Sequence, residues 1–175
     1  CLGDVVGYGP NPSECLARIQ ELDHICIAGN HDLGAAGAAD LLIFNREARA
    51  ALQWAQTQLT AANRAFLGSL PSCAEVEEAL LMCHGSPREP VWEYLVDTAS
   101  VTHSFLEYEF DLLMVGHSHL PLLFEWRVPQ ERVQVLRPGV AMPVQLGGRR
   151  LIVNPGSVGQ PRDGNPDASY GLLDT

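Results

Sequence analysis

Lysine is absent from this chain, so its 11 strongly basic residues are all arginine. Against them stand 21 acidic residues, and the formal net charge is −10 at pH 7. Non-specific binding to nucleic acid or to an anionic membrane needs a positive field, which this charge balance argues against. A phosphate-bearing ligand would therefore need another source of positive charge, and a bound metal ion is one such source.

Long hydrophobic runs and paired cysteine motifs are also missing. Uninterrupted apolar stretches such as 79–83 and 112–115 are far too short to span a bilayer. The five cysteines form an odd set without a Cys-x-x-Cys pair, which indicates neither a disulfide framework nor a thiolate zinc site. We therefore predict small buried thiols, a reducing cytoplasmic location and no membrane partner.

The chain is long enough for one domain with its own core. It has 175 residues, of which 46% are hydrophobic, and we predict a single α/β domain over residues 1–175. The opening Cys1-Leu2-Gly3-Asp4 is typical of the end of a buried strand, and residues 173–175 fall within what resembles a hairpin. We expect further residues at both ends.

Apolar spacing predicts helices mainly in the first half and strands mainly in the second. In open α/β sheets, ligands bind in the loops that follow the carboxyl ends of strands, so those loops are where chemistry is expected. The helices are predicted at 12–22, 38–59, 63–67 and 97–108. The strands are predicted at 24–28, 74–76, 79–83 (after a turn at Glu77 and Glu78) and 111–115, then in antiparallel fashion at 122–127, 133–136, 150–153 and 168–173.

Metal-competent side chains follow four separate predicted strand ends. Carboxylate, amide and imidazole ligands together form a mixed nitrogen and oxygen set, which suits Mn²⁺, Fe, Co, Ni or Zn²⁺. Each short motif alone could be an ordinary turn. Their joint occurrence beside glycines favours a metal site. The residues are Asp4, Asn30, His84, His117 and His119.

Taken in order, these motifs resemble those of the calcineurin-like metallophosphoesterases. The resemblance rests on Gly3-Asp4, Gly29-Asn30-His31-Asp32, His84 and Gly116-His117-Ser118-His119. Two flanking stretches, 6–12 and 154–162, resemble the small bacterial and archaeal phosphodiesterase branch. The protein-phosphatase branch carries Asp-Arg-Gly and a glutamate where this chain has Gly7-Tyr8-Gly9 and Asp32, so the likeness to that branch is weaker.

The resemblance implies a four-layer α/β/β/α sandwich, here without its first strand and last hairpin. It also implies two divalent metal ions, with Mn²⁺ expected first and Fe, Ni, Co or Zn²⁺ as alternatives. Asp4 would bridge the ions, with Asn30, His84 and His117 completing one site and His119 contributing to the other. The family's opening Asp-x-His motif does not occur in this chain, so the residues present complete one site only.

The same resemblance implies hydrolysis of a phosphate ester by water or hydroxide held between the ions. His31 would act as the general acid, and Asp32 could orient its imidazole. Arg162 and Tyr8 are predicted to contact the substrate. Trp92 and Tyr94 could line the substrate mouth, and core packing is an equally good interpretation of both.

Three functions therefore stand open. The first is a phosphodiesterase acting on a small-molecule phosphate ester. The second is a binding or scaffold module that keeps the fold without the chemistry. The third is a protein or dinucleoside-polyphosphate phosphatase. Homo-oligomerisation is possible in each case.

Overall fold

Helices occupy most of the first half of the chain in our computed structural model, which describes residues 1–77 and 80–174. The turn predicted at Glu77 and Glu78 involves Glu78, which lies outside the described residues. The helices are α1 (Pro12–Gln20), α2 (Asn30–Ala36), a 3₁₀ turn (Leu41–Ile43), α3 (Arg46–Gln58), α4 (Ala61–Ser69) and α5 (Thr98–Glu107). None of the helices described is long and apolar enough to cross a membrane.

Local signals explain where several helices begin. Pro12 occupies a first-turn position of α1, where a missing amide hydrogen costs nothing. The side chain of Asn45 caps α3 by accepting a hydrogen bond from Ala48 N at 2.8 Å. Asp97 caps α5 in the same way from Ala99 N. The predictions of α1, α4 and α5 are confirmed within a few residues at each end.

The helix predicted over 38–59 is wrong in its first part. The preceding α2 ends where Gly37 adopts a left-handed conformation with φ of 81°. A 3₁₀ turn at Leu41–Ile43 follows, and the regular helix begins only at Arg46. Apolar spacing alone did not reveal the end of α2 or the late start of α3. A glycine ends a helix through its backbone conformation, and an asparagine begins one by accepting a hydrogen bond from a backbone amide.

The six strands of the described residues share one sheet in the order β1-β2-β3-β6-β4-β5. The three central strands β2, β3 and β6 run parallel, while β1 pairs antiparallel with β2, and β4 pairs antiparallel with β6 and β5. The predicted α/β class is confirmed. The strands are β1 (Cys73–Glu77), β2 (Leu80–Cys83), β3 (Leu112–Val115), β4 (Pro121–Arg127), β5 (Arg132–Leu136) and β6 (Arg150–Pro155).

Two predicted strands are not strands in the structure. Residues 24–28 are buried in part, but Ile27 N bonds Cys1 O and Ala28 N bonds Pro71 O, so the bonds go to different segments and no ladder forms. Residues 168–173 also form no ladder. Their apolar side chains are largely exposed, because no neighbouring strand covers them in the described part of the chain.

The sheet separates two layers of core. Consecutive residues alternate between them, so that Leu113 and Ile152 pack beneath α5 while Leu112 and Leu151 pack on the opposite face. A third cluster joins the helices α1 to α4 around Leu52. Trp126 packs against the α5 layer, whereas Trp54 is 42% exposed.

Candidate metal centre

The parallel arrangement of β2 and β3 brings the residues that follow them together. His84 comes directly after β2, and Gly116 and His117 come directly after β3. A hydrogen bond from Gly116 N to His84 O, 2.9 Å long, ties the two strand ends to each other. Asn154, near the end of β6, donates to Gly116 O and to Ser118 Oγ, and so holds the loop that carries His117.

Asp4 is pressed against the start of α2 by two glycines. A Cβ atom on Gly29 would lie 2.0 Å from Asp4 Oδ1, and one on Gly3 would lie 2.5 Å from Gly29 N. No side chain fits at either position. This close approach lets His31 N donate a hydrogen bond of 2.9 Å to Asp4 Oδ1, and it places the adjacent Asn30 beside the same carboxylate.

Four side chains converge at this point. His84 Nε2 lies 3.4 Å from Asp4 Oδ2, 3.2 Å from Asn30 Oδ1 and 3.2 Å from His117 Nδ1. Ligand atoms of Asp4, His84 and His117 all lie within 4.8 Å of one another. Sequence analysis proposed all four residues as ligands of one ion, and the structure brings all four together.

The chemistry of this cluster matches a cation site. His84 Nδ1 lies 2.7 Å from Leu2 O, so this nitrogen carries a proton and the lone pair of a neutral ring sits on Nε2. That lone pair faces the carboxylate of Asp4, the amide oxygen of Asn30 and a nitrogen of His117. With His84 neutral, the facing acceptors repel one another, and either a proton on Nε2 or a shared metal ion would relieve the repulsion.

The charges of the cluster agree with that requirement. Burial acts to raise the pKa of Asp4, but the charge and hydrogen bond of His84, together with His31, hold it at about 2. Burial and the charge of His84 lower the pKa of His117 to about 4. Burial opposes protonation of His84 as well, yet the charge of Asp4 raises its pKa. Positive charge is thus drawn to the centre of the cluster.

His119 lies beside this cluster rather than within it. Its Nδ1 is 2.7 Å from Gln160 O, which leaves Nε2 as the nitrogen able to bind a metal ion. Burial and the charge of Arg162 lower the pKa of His119, so the ring is neutral at pH 7. This placement agrees with a ligand of a second ion.

His31 is buried between aromatic rings at the edge of the cluster. Its ring centroid lies 4.7 Å from that of Tyr8 and 5.4 Å from that of Phe44. Nδ1 is buried without a hydrogen-bond partner among the described residues. A Cβ atom on Gly7 would lie 2.7 Å from Nδ1, so a glycine is needed there. Burial is the main cause that lowers the pKa of His31.

Asp32 does not contact the His31 ring through the hydrogen bonds that the structure shows. Its fully buried carboxylate accepts from Val6 N at 3.2 Å and from Gly29 N at 3.0 Å. Burial and the charge of Asp4 raise the pKa of Asp32 to about 7. Asp32 therefore joins the segment after Asp4 to the start of α2. The sequence predicted that Asp32 orients the His31 imidazole, and these hydrogen bonds do not do so.

Arg162 is tied to the loop that carries His119. Its backbone nitrogen donates to His119 O at 3.2 Å, and its Nη2 donates to Gln160 Oε1 at 3.0 Å. The guanidinium is exposed, and its charge lowers the pKa of both His31 and His119. Arg162 thus places a positive group next to the two histidines that flank the cluster.

Two aromatic residues stand over the site. The Tyr94 ring stacks on that of His117 with 3.8 Å between centroids, and Trp92 lies 5.5 Å from Phe44, which in turn contacts His31. Both Trp92 and Tyr94 keep more than a third of their surface exposed. Each ring therefore packs on a neighbouring aromatic residue and also faces solvent. Both interpretations from the sequence, a substrate mouth and packing, are compatible with this arrangement.

Sequence reasoning missed the groups that hold the ligands. The carbonyls of Leu2 and Gln160 orient two histidines, and backbone carbonyls carry no signal of identity in a sequence. The role of Gly7 against His31 had a visible signal in Gly7-Tyr8-Gly9, which we took only as a substrate loop. The hydrogen bonds of Asn154 shape the loops after β3 and β6.

Two strand ends, the start of α2 and the segment that carries Asp4 bring Asp, Asn and His side chains to one point, an arrangement typical of a metal-dependent enzyme site. The family model of the calcineurin-like phosphoesterase superfamily domain matches residues 1–175, and the chain belongs to this superfamily. Membership supports a metal-dependent phosphoesterase, which is a phosphoric ester hydrolase.

Solved structures and a curated protein are similar to this chain. The crystal structure of a metallophosphoesterase from Sphaerobacter thermophilus shares 37% identity, with a TM-score of 0.86, and covers 99% of this chain and 71% of that one. An uncharacterised protein of Methanocaldococcus jannaschii is 37% identical over 99% of this chain and 70% of its own length. A hypothetical protein from Pyrococcus horikoshii, 21% identical over 90% of this chain and 62% of its own, has a TM-score of 0.66 and shares the fold.

Proposed function

We propose that the protein is a phosphodiesterase that hydrolyses a small-molecule phosphate ester. Support comes from the position of His31, which lies beside the ligand cluster, contacts Asp4 through its backbone and is flanked by Arg162. A buried imidazole beside the ligand cluster, with an unpartnered Nδ1 among the described residues, supports a role for His31 at an ester oxygen. The phosphodiesterase branch is favoured by the motifs that follow Asp4 and β6.

The metal ligands in this proposal are the residues of the cluster. Asp4, Asn30, His84 and His117 would hold one ion, and Asp4 and His119 would contribute to a second. Mn²⁺ is the ion we propose first, and Fe, Ni, Co and Zn²⁺ also suit these donors. When bound, such ions neutralise phosphate oxygens and lower the pKa of water, which supplies the nucleophile.

His31 is proposed to assist the departing oxygen. His31 would act as an imidazolium, whose N–H donates to that oxygen and delivers the proton as the P–O bond breaks, leaving a neutral ring. Burial lowers the pKa of His31, which strengthens it as an acid, while the charge of Asp4 acts to raise that pKa. Arg162 would bind a phosphate oxygen through its guanidinium, and Tyr8 would contact the ester beside His31. Asp32 would act indirectly, because its bonds to Val6 N and Gly29 N fix the segment on which Asp4 and His31 meet.

The test compares two leaving groups on Mn²⁺-loaded protein. We expect His31→Ala to lower kcat/KM by roughly 10²- to 10⁴-fold, the usual contribution of a proton donor. The loss should be larger for a phenyl than for a p-nitrophenyl diester, because p-nitrophenolate leaves with little need of a proton. The exposed His24 offers a matched control, and His24→Ala should change neither ester.

Further measurements separate the alternatives. Bis(p-nitrophenyl) phosphate should be hydrolysed faster than p-nitrophenyl phosphate. A preference for the monoester or for a dinucleoside polyphosphate would overturn the phosphodiesterase assignment. Bound metal without hydrolysis of any ester would favour the scaffold module instead. Equal losses with both leaving groups in His31→Ala would contradict the proton-donor role alone.

A further inference from the structure

Two cysteines face each other across the first two strands. Cys73 in β1 and Cys83 in β2 are directly opposite in the antiparallel register. Side chains at opposite positions lie on the same face of a sheet, with Cβ atoms about 4.5–5.5 Å apart, and a disulfide requires about 3.5–4.5 Å. The Cα spacing of such pairs, about 4.5–5.5 Å, already lies inside the disulfide range of about 4.4–6.8 Å. Closing a bond here needs a small adjustment of the strands.

The side chains confirm that both thiols point to the same place. Cys83 is fully buried in the core layer beneath α5, and Cys73 packs against that same layer while half-buried. The thiols are close enough to share a hydrogen bond, which lowers the pKa of Cys73. Since β1 is an edge strand of the sheet among the described residues, Cys73 is the thiol that a reagent reaches first.

We propose that Cys73 and Cys83 form a reversible thiol–disulfide pair that a small-molecule disulfide such as oxidised glutathione closes. The Cys73 thiolate attacks one sulfur of the oxidant, breaks its S–S bond and expels one thiolate. Cys83 Sγ, as its proton leaves, then attacks Cys73 Sγ in the mixed disulfide and expels the second thiolate. Two protein thiols are oxidised to one disulfide, one small disulfide is reduced to two thiols, and the two protein protons pass to the expelled thiolates.

Closure would act on the strand that presents a metal ligand. Cys83 is the last residue of β2, and His84 follows it directly. The disulfide would join β1 covalently to that strand end. In the reducing location predicted from the sequence, the pair stays open until oxidant rises, which is the behaviour of redox-sensing pairs in such compartments.

The experiment treats the complete chain with mixtures of oxidised and reduced glutathione, alkylates the remaining thiols and maps the peptides without reduction. No arginine or lysine separates the two cysteines, so trypsin leaves both in one peptide. A glutamate-specific protease cuts between them at Glu75, Glu77 and Glu78. We expect two peptides joined by a Cys73–Cys83 bond that dithiothreitol releases. The exposed Cys15 should carry only glutathione and reports that the oxidant was active.

Variants and a second readout complete the test. Cys73→Ser should abolish the joined peptides, and the matched control Cys15→Ser should retain them. The oxidised protein should unfold at a higher urea concentration than the reduced one, because the cross-link restricts the unfolded chain, and this shift should vanish in Cys73→Ser. The proposal is overturned if Cys15 takes up glutathione while Cys73 and Cys83 remain unlinked, or if Cys73 stops at a stable glutathione adduct. None of these readouts requires hydrolase activity.

Discussion

Three of the proposed metal ligands lie in backbone conformations that most residues avoid. Asp4, His117 and His119 have φ values of 55°, 60° and 59°. Left-handed conformations cost a non-glycine residue on the order of 1–3 kcal/mol, and they persist where the surroundings hold them. Here the surroundings are the glycine contacts at Asp4 and the hydrogen bonds of Asn154. The chain accepts local strain at the positions where ligand atoms must meet.

Removal of His84 should abolish the first metal site. We expect His84→Ala to weaken Mn²⁺ binding by at least about 100-fold, since even the loss of an outer partner of a ligand costs roughly 10–100-fold. Elemental analysis after dialysis against a fixed Mn²⁺ concentration measures the change. His24→Ala alters a surface histidine and should leave metal content as it is. Full metal content in His84→Ala would show that the cluster is not the binding site.

The guanidinium of Arg162 should matter for substrate rather than for metal. Arg162→Lys keeps the charge but removes the pair of parallel donors of a guanidinium. We expect KM for a phosphodiester to rise about tenfold, because one hydrogen bond to a charged group contributes about 1.5 kcal/mol. Steady-state kinetics on Mn²⁺-loaded protein gives the ratio. The exposed Arg64 supplies the comparison Arg64→Lys, with KM unchanged. An unaltered KM in both variants would remove Arg162 from the substrate site.

At the scale of elements, the site is made by strand ends and by one short helix. The parallel pair β2 and β3 delivers His84 and His117 side by side, and α2 delivers Asn30 and His31 on its first turn. The contact between α2 and the Asp4 segment depends on Gly29, the residue that precedes the helix. Each element contributes one or two ligands, and none contributes the whole site.

Two glycine substitutions test this dependence against each other. Gly29→Ala would place a methyl group 2.0 Å from Asp4 Oδ1, so we expect a loss of metal binding and a lower melting temperature. Gly68→Ala, inside α4, meets only Ala36 Cβ at 3.7 Å and should stabilise the protein by about 0.5–1 kcal/mol through helix propensity. Thermal unfolding and metal content are measured for both. Normal metal binding by Gly29→Ala would contradict the close packing of Asp4.

For the molecule as a whole, metal and stability should be linked. A cluster of facing acceptors is relieved by a bound cation, so the folded state gains the free energy of binding. At a Mn²⁺ concentration about 100 times the dissociation constant this is roughly 2.7 kcal/mol. For a chain of this length it corresponds to an increase of about 5–10 °C in the melting temperature.

Calorimetry with and without EDTA measures that increase in the melting temperature. Protons compete with metal ions for the imidazole ligands. The pKa of His84 is raised and that of His117 is about 4, so the increase should begin to shrink as the pH falls through the pKa of His84 and should be lost at about pH 4. His84→Ala should show a smaller increase than the wild-type protein. An EDTA-treated protein with an unchanged melting temperature, at a pH where metal is bound, would contradict the linkage.

Charge also acts at this largest scale. The net charge of −10 repels phosphate at a distance, so an anionic ester depends on local positive groups. Arg162 is one such group, and the bound metal ions would be the others. This is why an acidic chain is compatible with a phosphate-ester substrate.

The sequence by itself determined the α/β class and the helices α1, α4 and α5, and it singled out the four side chains that the structure brings together. These depend on information that is local, because apolar periodicity sets an element and polar residues beside glycine mark where an element or segment ends. The same reasoning failed for residues 24–28 and 168–173, whose apolar spacing resembles a strand. A strand exists only if a partner lies alongside, and no local pattern specifies the partner.

Only the tertiary structure decided the contacts between residues distant in sequence. It placed β6 parallel to β3, directed the carboxylate of Asp32 to two backbone amides, and stacked Tyr94 on His117. It also assigned the ring nitrogens of His84 and His119 through the carbonyls of Leu2 and Gln160, and brought Cys73 opposite Cys83. Such contacts depend on how elements pack against one another. The packing energy depends on both surfaces of a contact, and these come from residues that are far apart along the chain.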